Sequence, residues 1–160
     1  MAIAVPRPLA LPRQALFWLL HLGGWSAYFA QGYLAAVAHG KGRDYWVVPF
    51  TAAVTGALVT LGLRALLRRY WALPPWRLFA VMVVPILASS ALIDLTTRAV
   101  LVAGFCHTCA PGGQIAYVAY ALGYIYVVLA WAGLYMGIKY YGRLQEESRR
   151  ALAASDMAHQ

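Results

Sequence analysis

Four long apolar segments, separated by short polar stretches, dominate the chain. They cover roughly residues 15–37, 45–67, 78–105 and 114–138. A helix rises about 1.5 Å per residue, so each segment is long enough to cross a hydrocarbon core of about 30 Å. The stretches between them carry glycine, proline and charged residues, which are typical of loops. The pattern predicts an all-α integral membrane protein, a four-helix bundle that occupies residues 1–139.

The segment that follows, residues 140–160, is polar and consists mostly of good helix formers. Small and apolar residues recur in it at heptad spacing, which predicts a cytoplasmic linker helix that pairs loosely with a second copy. A solvated surface helix without a partner is the alternative. No glycine cap or proline ends this helix, so we expect a further segment after Gln160. The residues of the seam are Tyr141, Leu144, Ala151 and Ala158.

Composition supports a membrane location, because 62% of the residues are hydrophobic and only 11% are charged. The net charge of +8 could indicate nucleic-acid binding. However, the basic residues flank the apolar segments, as they do in membrane proteins, so we expect no direct nucleic-acid contact.

The distribution of lysine and arginine predicts the orientation. Basic residues cluster before the first segment, between the second and third, and after the fourth. Only Lys41 and Arg43 lie in the loop on the opposite side. The positive-inside rule therefore predicts cytoplasmic N- and C-termini in a bacterial inner membrane, with the Cys106 loop facing outwards.

The outer loop contains Cys106, His107 and Cys109. Two thiols and an imidazole at this spacing could bind a soft metal such as Cu(I) or Zn(II). The thiols could equally form a structural or a reversible disulfide, or remain inert. Covalent haem is disfavoured, because the histidine lies between the cysteines rather than after the second one.

Polar residues inside the predicted spans are candidate functional groups, because ionisable side chains are costly in a bilayer. Asp94 and Arg98 lie one turn apart on the third segment. They form either a neutralising pair that reaches the outer interface or a site that responds to a ligand or a proton. His21 on the first segment is either a packed histidine or a cofactor ligand.

Aromatic and small residues mark two faces of the fourth segment. The aromatic stripe indicates interhelical packing, with a lipid or quinone groove as the alternative. Gly133 and Gly137 allow close contact with another helix, which suits a homodimer. The stripe consists of Tyr117, Tyr120, Tyr124 and Trp131. The sequence has no phosphate-binding glycine loop, HExxH motif or nucleophilic triad, so no catalytic residue is assigned.

Two sets of landmarks resemble the membrane input region of LytS/AlgZ-type bacterial sensor histidine kinases, and the resemblance covers essentially the whole chain. The first set is Phe17-Trp18-Leu19-Leu20-His21 followed by Gly24-Trp25-Ser26-Ala27-Tyr28. The second is Trp131, Leu134-Tyr135, Tyr140-Tyr141 and Leu144-Gln145-Glu146-Glu147, with the alanine-rich helix to Gln160.

The resemblance implies a homodimeric sensory module of a two-component system. In that family the linker leads to an Asn-Pro-His-Phe phosphoacceptor motif, an ATP-binding kinase core that uses Mg²⁺, and a response regulator that is often of the LytTR type. His159 lacks the flanking Asn-Pro and Phe, so the phosphoacceptor role is not transferred to it. A membrane thiol–disulfide redox or metal-binding protein that uses Cys106 and Cys109 is the alternative.

Overall fold

The computed structural model describes residues 12–104 and 114–158, and these residues are helical with no strand among them. They form four long helices and a short 3₁₀ turn, Arg43–Trp46, before the second of these. The all-α prediction and the predicted number of long helices are confirmed. The helices are α1 (Arg13–Ala38), α2 (Val47–Arg69), α3 (Pro75–Val102) and α4 (Gln114–Ala158).

The end of α1 shows why it stops where it does. Gly40 has a φ of +71°, a left-handed conformation that side chains with a Cβ rarely adopt. The amide of Gly40 donates to the carbonyl of Val37 at 3.0 Å, and the amide of Lys41 donates to that of Ala36 at 3.0 Å. This is a Schellman motif, which satisfies carbonyls of the last turn.

Proline and glycine set the ends of α3. Pro75 is its first residue. A backbone N–H at this position would have no carbonyl acceptor within the helix, so proline loses no hydrogen bond there. Gly104, with a φ of +76°, lies just beyond the last turn. Pro85 lies inside α3, and the helix continues through it. The kink expected at this proline stays a prediction.

The described residues fall into two compact units, and the first consists of residues 12–57 and 96–104. Its buried side chains include Trp25 and Ala36 from α1 and Ala52 from α2. A Cβ atom built on Gly56 of α2 would overlap the ring of Trp25. The glycine therefore allows this large ring to pack directly against the backbone of α2.

The second unit consists of residues 58–95 and 114–158. Three helices contribute buried stripes with helical spacing to its core, which is how amphipathic helices pack against one another. These side chains are Leu63 and Leu67 of α2, Leu78, Met82, Ile86 and Ile93 of α3, and Tyr124, Val128 and Ala132 of α4.

Three of the helical segments are long and apolar enough to cross a membrane: Arg43–Arg69, Trp76–Val102 and Val118–Met157. Many of their large apolar side chains point outwards, such as Val84 at 71% exposed and Tyr126 at 73% exposed. α1 is not among these segments. Three of the four predicted spans thus coincide with segments of this length and composition, and a membrane crossing by α1 stays a prediction.

The fourth helix is one continuous rod. The sequence placed a boundary between the span at residue 138 and the linker that begins at residue 140, but α4 passes through both without a break. From Arg143 to Met157 every side chain is exposed. The apolar part of α4 and its polar tail therefore belong to one uninterrupted helix.

Candidate functional site

His21 lies in an aromatic pocket on α1. It is only 2% exposed, and its ring stacks on Phe17 with centroids 5.2 Å apart. Trp18 meets the same ring edge-on at 6.0 Å. Within residues 12–104 and 114–158, no group of three histidine, cysteine, aspartate or glutamate residues could hold a metal ion. The surroundings of His21 are those of a packed aromatic side chain.

Asp94 and Arg98 are both half-buried on α3. Between them, Thr97 is buried, and Thr96 donates a hydrogen bond from its hydroxyl to that of Thr55 on α2 at 3.2 Å. Ser90, one turn before Asp94, is buried and donates to the carbonyl of Ile86 at 2.9 Å. This part of α3 therefore carries polar side chains within an otherwise apolar helix.

The predicted aromatic stripe of α4 has both buried and exposed members. Tyr124 is buried, Trp131 is half-buried and Tyr120 is exposed. The ring of Trp131 stacks almost parallel on that of Tyr135, with centroids 5.6 Å apart. Tyr117 lies in the first turn of α4, and its side chain is outside the described part.

The glycine pair and the linker seam are open to a partner. Around Gly133 and Gly137, no atom lies within 4 Å of a Cβ built on either residue. Tyr141 and Leu144 are 64% and 61% exposed, and Ala151 is exposed as well. Ala158 is the last residue of α4. Cys106, His107 and Cys109 lie outside the described residues, so the metal and disulfide hypotheses stay predictions.

A basic–aromatic cluster in the second unit brings together the loop after α2 and the middle of α4. The ammonium group of Lys139 lies 4.2 Å from the ring centroid of Trp71, and the guanidinium of Arg143 lies 5.0 Å from the same ring. The ring of Tyr140 is 5.1 Å from that of Trp71. Trp71 thus holds two cations that are one helical turn apart.

The charge in this cluster is of one sign. The positive charges of Arg68, Arg143 and Arg64 are near enough to Lys139 to repel its ammonium group, and no carboxylate in the described part of the chain offsets that repulsion. Each cation–π contact contributes about 0.5–2 kcal/mol, depending on exposure, and offsets part of this repulsion. We call Arg64, Arg68, Trp71, Lys139, Tyr140 and Arg143 the Trp71 cluster.

The sequence shows the residues of the Trp71 cluster but not that those near α2 contact those on α4. Arg68 and Trp71 follow an apolar segment as an interface anchor, and Lys139 and Arg143 follow another at helical spacing. Which helices are neighbours depends on tertiary packing, which the spacing along one helix does not record.

Comparison with known proteins finds no relative: no protein-family model, no curated protein and no solved structure matches the chain.

Proposed function

We propose that the chain is the transmembrane sensory module of a two-component sensor histidine kinase. In this role it passes a signal from the outer face or from within the membrane to a kinase core that is not part of this chain. This chain has no catalytic role in the proposal. The kinase core would use ATP and Mg²⁺ and would phosphorylate a response regulator of the LytTR type.

The observation that carries this proposal is the continuity of α4. A single helix of 45 residues joins an apolar half, packed through Tyr124 and Val128, to a tail that is exposed throughout. An exposed helix gains little stability from packing, so a partner helix would stabilise a tail of this kind. A helix that leaves a membrane without a break is suited to transmit movement.

The proposed location is a bacterial inner membrane, with four spans and cytoplasmic termini. The Trp71 cluster supports this orientation, because it gathers basic and aromatic side chains from the loop after α2 and from the end of the apolar part of α4. Such residues favour the cytoplasmic interface of a bilayer. α1 also crosses the membrane in this arrangement, with neighbouring helices that would shield His21 and the aromatic rings.

The proposal includes a homodimer. Gly133 and Gly137 leave room for a second helix, and Leu144 continues an exposed apolar seam into the tail. The seam is weak, since after Leu144 it contains only the small residues Ala151 and Ala158. A weak seam can shift between two arrangements at little cost, which is what a switch requires.

The test is a fusion of a histidine-kinase core after Gln160, with insertions between Ser148 and Arg149. One inserted alanine rotates the helix beyond it by about 100°, whereas seven residues nearly restore the original phase. We expect the single insertion to change the rate of autophosphorylation and the seven-residue insertion to restore it. Autophosphorylation is measured with ATP and Mg²⁺ in isolated membranes.

The matched control carries the same insertions in a fusion that lacks residues 1–139. If its response to phase is the same, the membrane helices add nothing to the signal and the sensory role is wrong. If neither fusion responds to phase, α4 does not transmit by rotation.

The alternative function is a thiol–disulfide redox or metal-binding protein that uses the Cys106 loop. Metal content and thiol state of the detergent-purified protein, compared with the Cys106→Ser/Cys109→Ser variant, separate it from the sensor. Stoichiometric metal that the variant loses would make the loop a metal site. A disulfide without bound metal would mean that the loop is held by a structural crosslink.

A further inference from the structure

The Trp71 cluster holds more positive charge than its own side chains neutralise. Lys139 is half-buried and is repelled by three arginines, and its ring contacts are with Trp71 and Tyr135. Among the described residues, the carboxylate of Glu146 lies 3.3 Å from Arg150, further along the tail. An anion placed among these cations would relieve the repulsion.

The ring contacts leave hydrogen-bond donors of Lys139 and Arg143 available for an anion. A cation–π contact uses the face of the ring and occupies no acceptor. The ammonium of Lys139 has three donors and each guanidinium has five. Arg68 and Arg143 are exposed, so their donors can be reached from outside. Phosphate oxygens match this donor set, since guanidinium groups bind them through two parallel hydrogen bonds.

The surroundings of the cluster suit an amphipathic ligand rather than a free ion. Leu134 and Ile138, in the turns of α4 just before Lys139, are 56% and 45% exposed. Trp76, at the start of α3, is 67% exposed and carries the guanidinium of Arg77 over its ring at 5.0 Å. Exposed apolar side chains therefore precede Lys139 on the same helix, where they could contact the acyl chains of a lipid with a charged head group.

We infer that the Trp71 cluster is a binding site for the phosphate head group of an anionic membrane lipid. The cations of Arg68, Lys139 and Arg143 bind the phosphodiester, Trp71 orders two of them, and the acyl chains lie against the apolar surface of α4. The inference rests on the proposed membrane insertion. It ties the position of α4 to the lipid composition of the cytoplasmic leaflet.

The test is lipid binding by the full chain in detergent micelles, measured by native mass spectrometry during titration. The probes are phosphatidylglycerol, which is anionic, and phosphatidylcholine, which carries the same phosphodiester but no net charge. Each cation near an anionic lipid surface strengthens binding about fivefold. We expect Lys139→Gln/Arg143→Gln to weaken phosphatidylglycerol binding about 25-fold, as the product of two such factors.

The matched control is Arg149→Gln/Arg150→Gln. It removes the same charge from the same helix outside the cluster, so we expect phosphatidylglycerol binding within about twofold of the wild type. If the double variant does not fold, Arg68→Gln replaces it, because Arg68 is exposed and makes none of the ring contacts. We expect this variant to bind phosphatidylglycerol about fivefold more weakly. Equal losses in the cluster and control variants would overturn the inference.

Two further arms identify the source of the phosphate and separate this inference from the proposed function. If inorganic phosphate binds the wild type as tightly as phosphatidylglycerol, the ligand is a free ion and the lipid assignment is wrong. Extraction of native membranes with alkaline carbonate tests insertion itself. A chain released by carbonate overturns the membrane function, whereas a retained chain that binds both lipids equally overturns only the lipid site.

Discussion

Trp25 of α1 packs its ring onto the backbone of α2 at Gly56, and a side chain at residue 56 would overlap it. We expect Gly56→Ala to destabilise the protein by about 1–3 kcal/mol, the usual cost of adding atoms to a filled core. The measurement is the thermal unfolding midpoint of the protein in detergent, followed by circular dichroism.

Gly62 on the same helix is the control, because no atom lies within 4 Å of a Cβ built there. Gly62→Ala should leave the midpoint unchanged or raise it, since alanine is the better helix former. Adding Trp25→Leu to Gly56→Ala should recover part of the loss. Equal effects of the two glycine substitutions would mean that Trp25 does not occupy the position described.

Single residues show what the sequence could and could not predict about the site. The unusual burial of His21 followed from its position in an apolar helix, but its stacking on Phe17 did not follow from spacing alone. The stripe of α4 was recognised by its period, yet Tyr120 is exposed and Tyr124 is buried. Residues one turn apart differ by about 40° around a helix, and the neighbouring helices decide which of them is covered.

Among the helix ends, the cap of α1 offers a direct test. Gly40→Ala forces a side chain into the left-handed region, so we expect a loss of about 1–2 kcal/mol in unfolding free energy. Gly24→Ala, inside the same helix and with open space around its Cβ position, should be neutral or stabilising. Chemical unfolding in detergent measures both. A neutral Gly40→Ala would show that the Schellman turn does not limit α1.

The tail of α4 allows a second test, of whether two copies of the helix pair through the seam. A peptide of residues 140–158 should be mostly unfolded as a monomer, because isolated short helices are marginal in water. Linking two copies through an added C-terminal cysteine should raise helicity, measured by circular dichroism. Leu144→Ser, in the seam, should cancel the gain. Leu152→Ser, similarly exposed but outside the seam, should not; equal effects would contradict seam pairing.

The helices themselves were largely predictable, and their ends were less so. Hydropathy located α1 and α2 to within a few residues because burial or lipid exposure extends along whole segments. α3 begins at Pro75 rather than at residue 78, since a proline at the first position needs no partner for its nitrogen. α4 continues past Lys139 into the polar tail, because a change from apolar to polar surroundings does not interrupt backbone hydrogen bonds.

For the whole molecule, the number of membrane crossings decides where the N-terminus lies. In a background lacking Cys106 and Cys109, we expect His39→Cys to react with a membrane-impermeant maleimide added outside intact spheroplasts. Ala2→Cys and Ser155→Cys should react only after permeabilisation. External labelling at residue 2 with shielding at residue 155 would mean that α1 does not cross and that three helices do.

The part of α4 that extends beyond its last contact with Trp71 can amplify a small movement. From Arg143 to Ala158 the rod extends about 22 Å past its last ring contact. If the helix pivots at Arg143, a tilt of about 10° displaces its C-terminal end by about 4 Å. Displacements of a few ångströms are on the scale that rearranges packed helix interfaces.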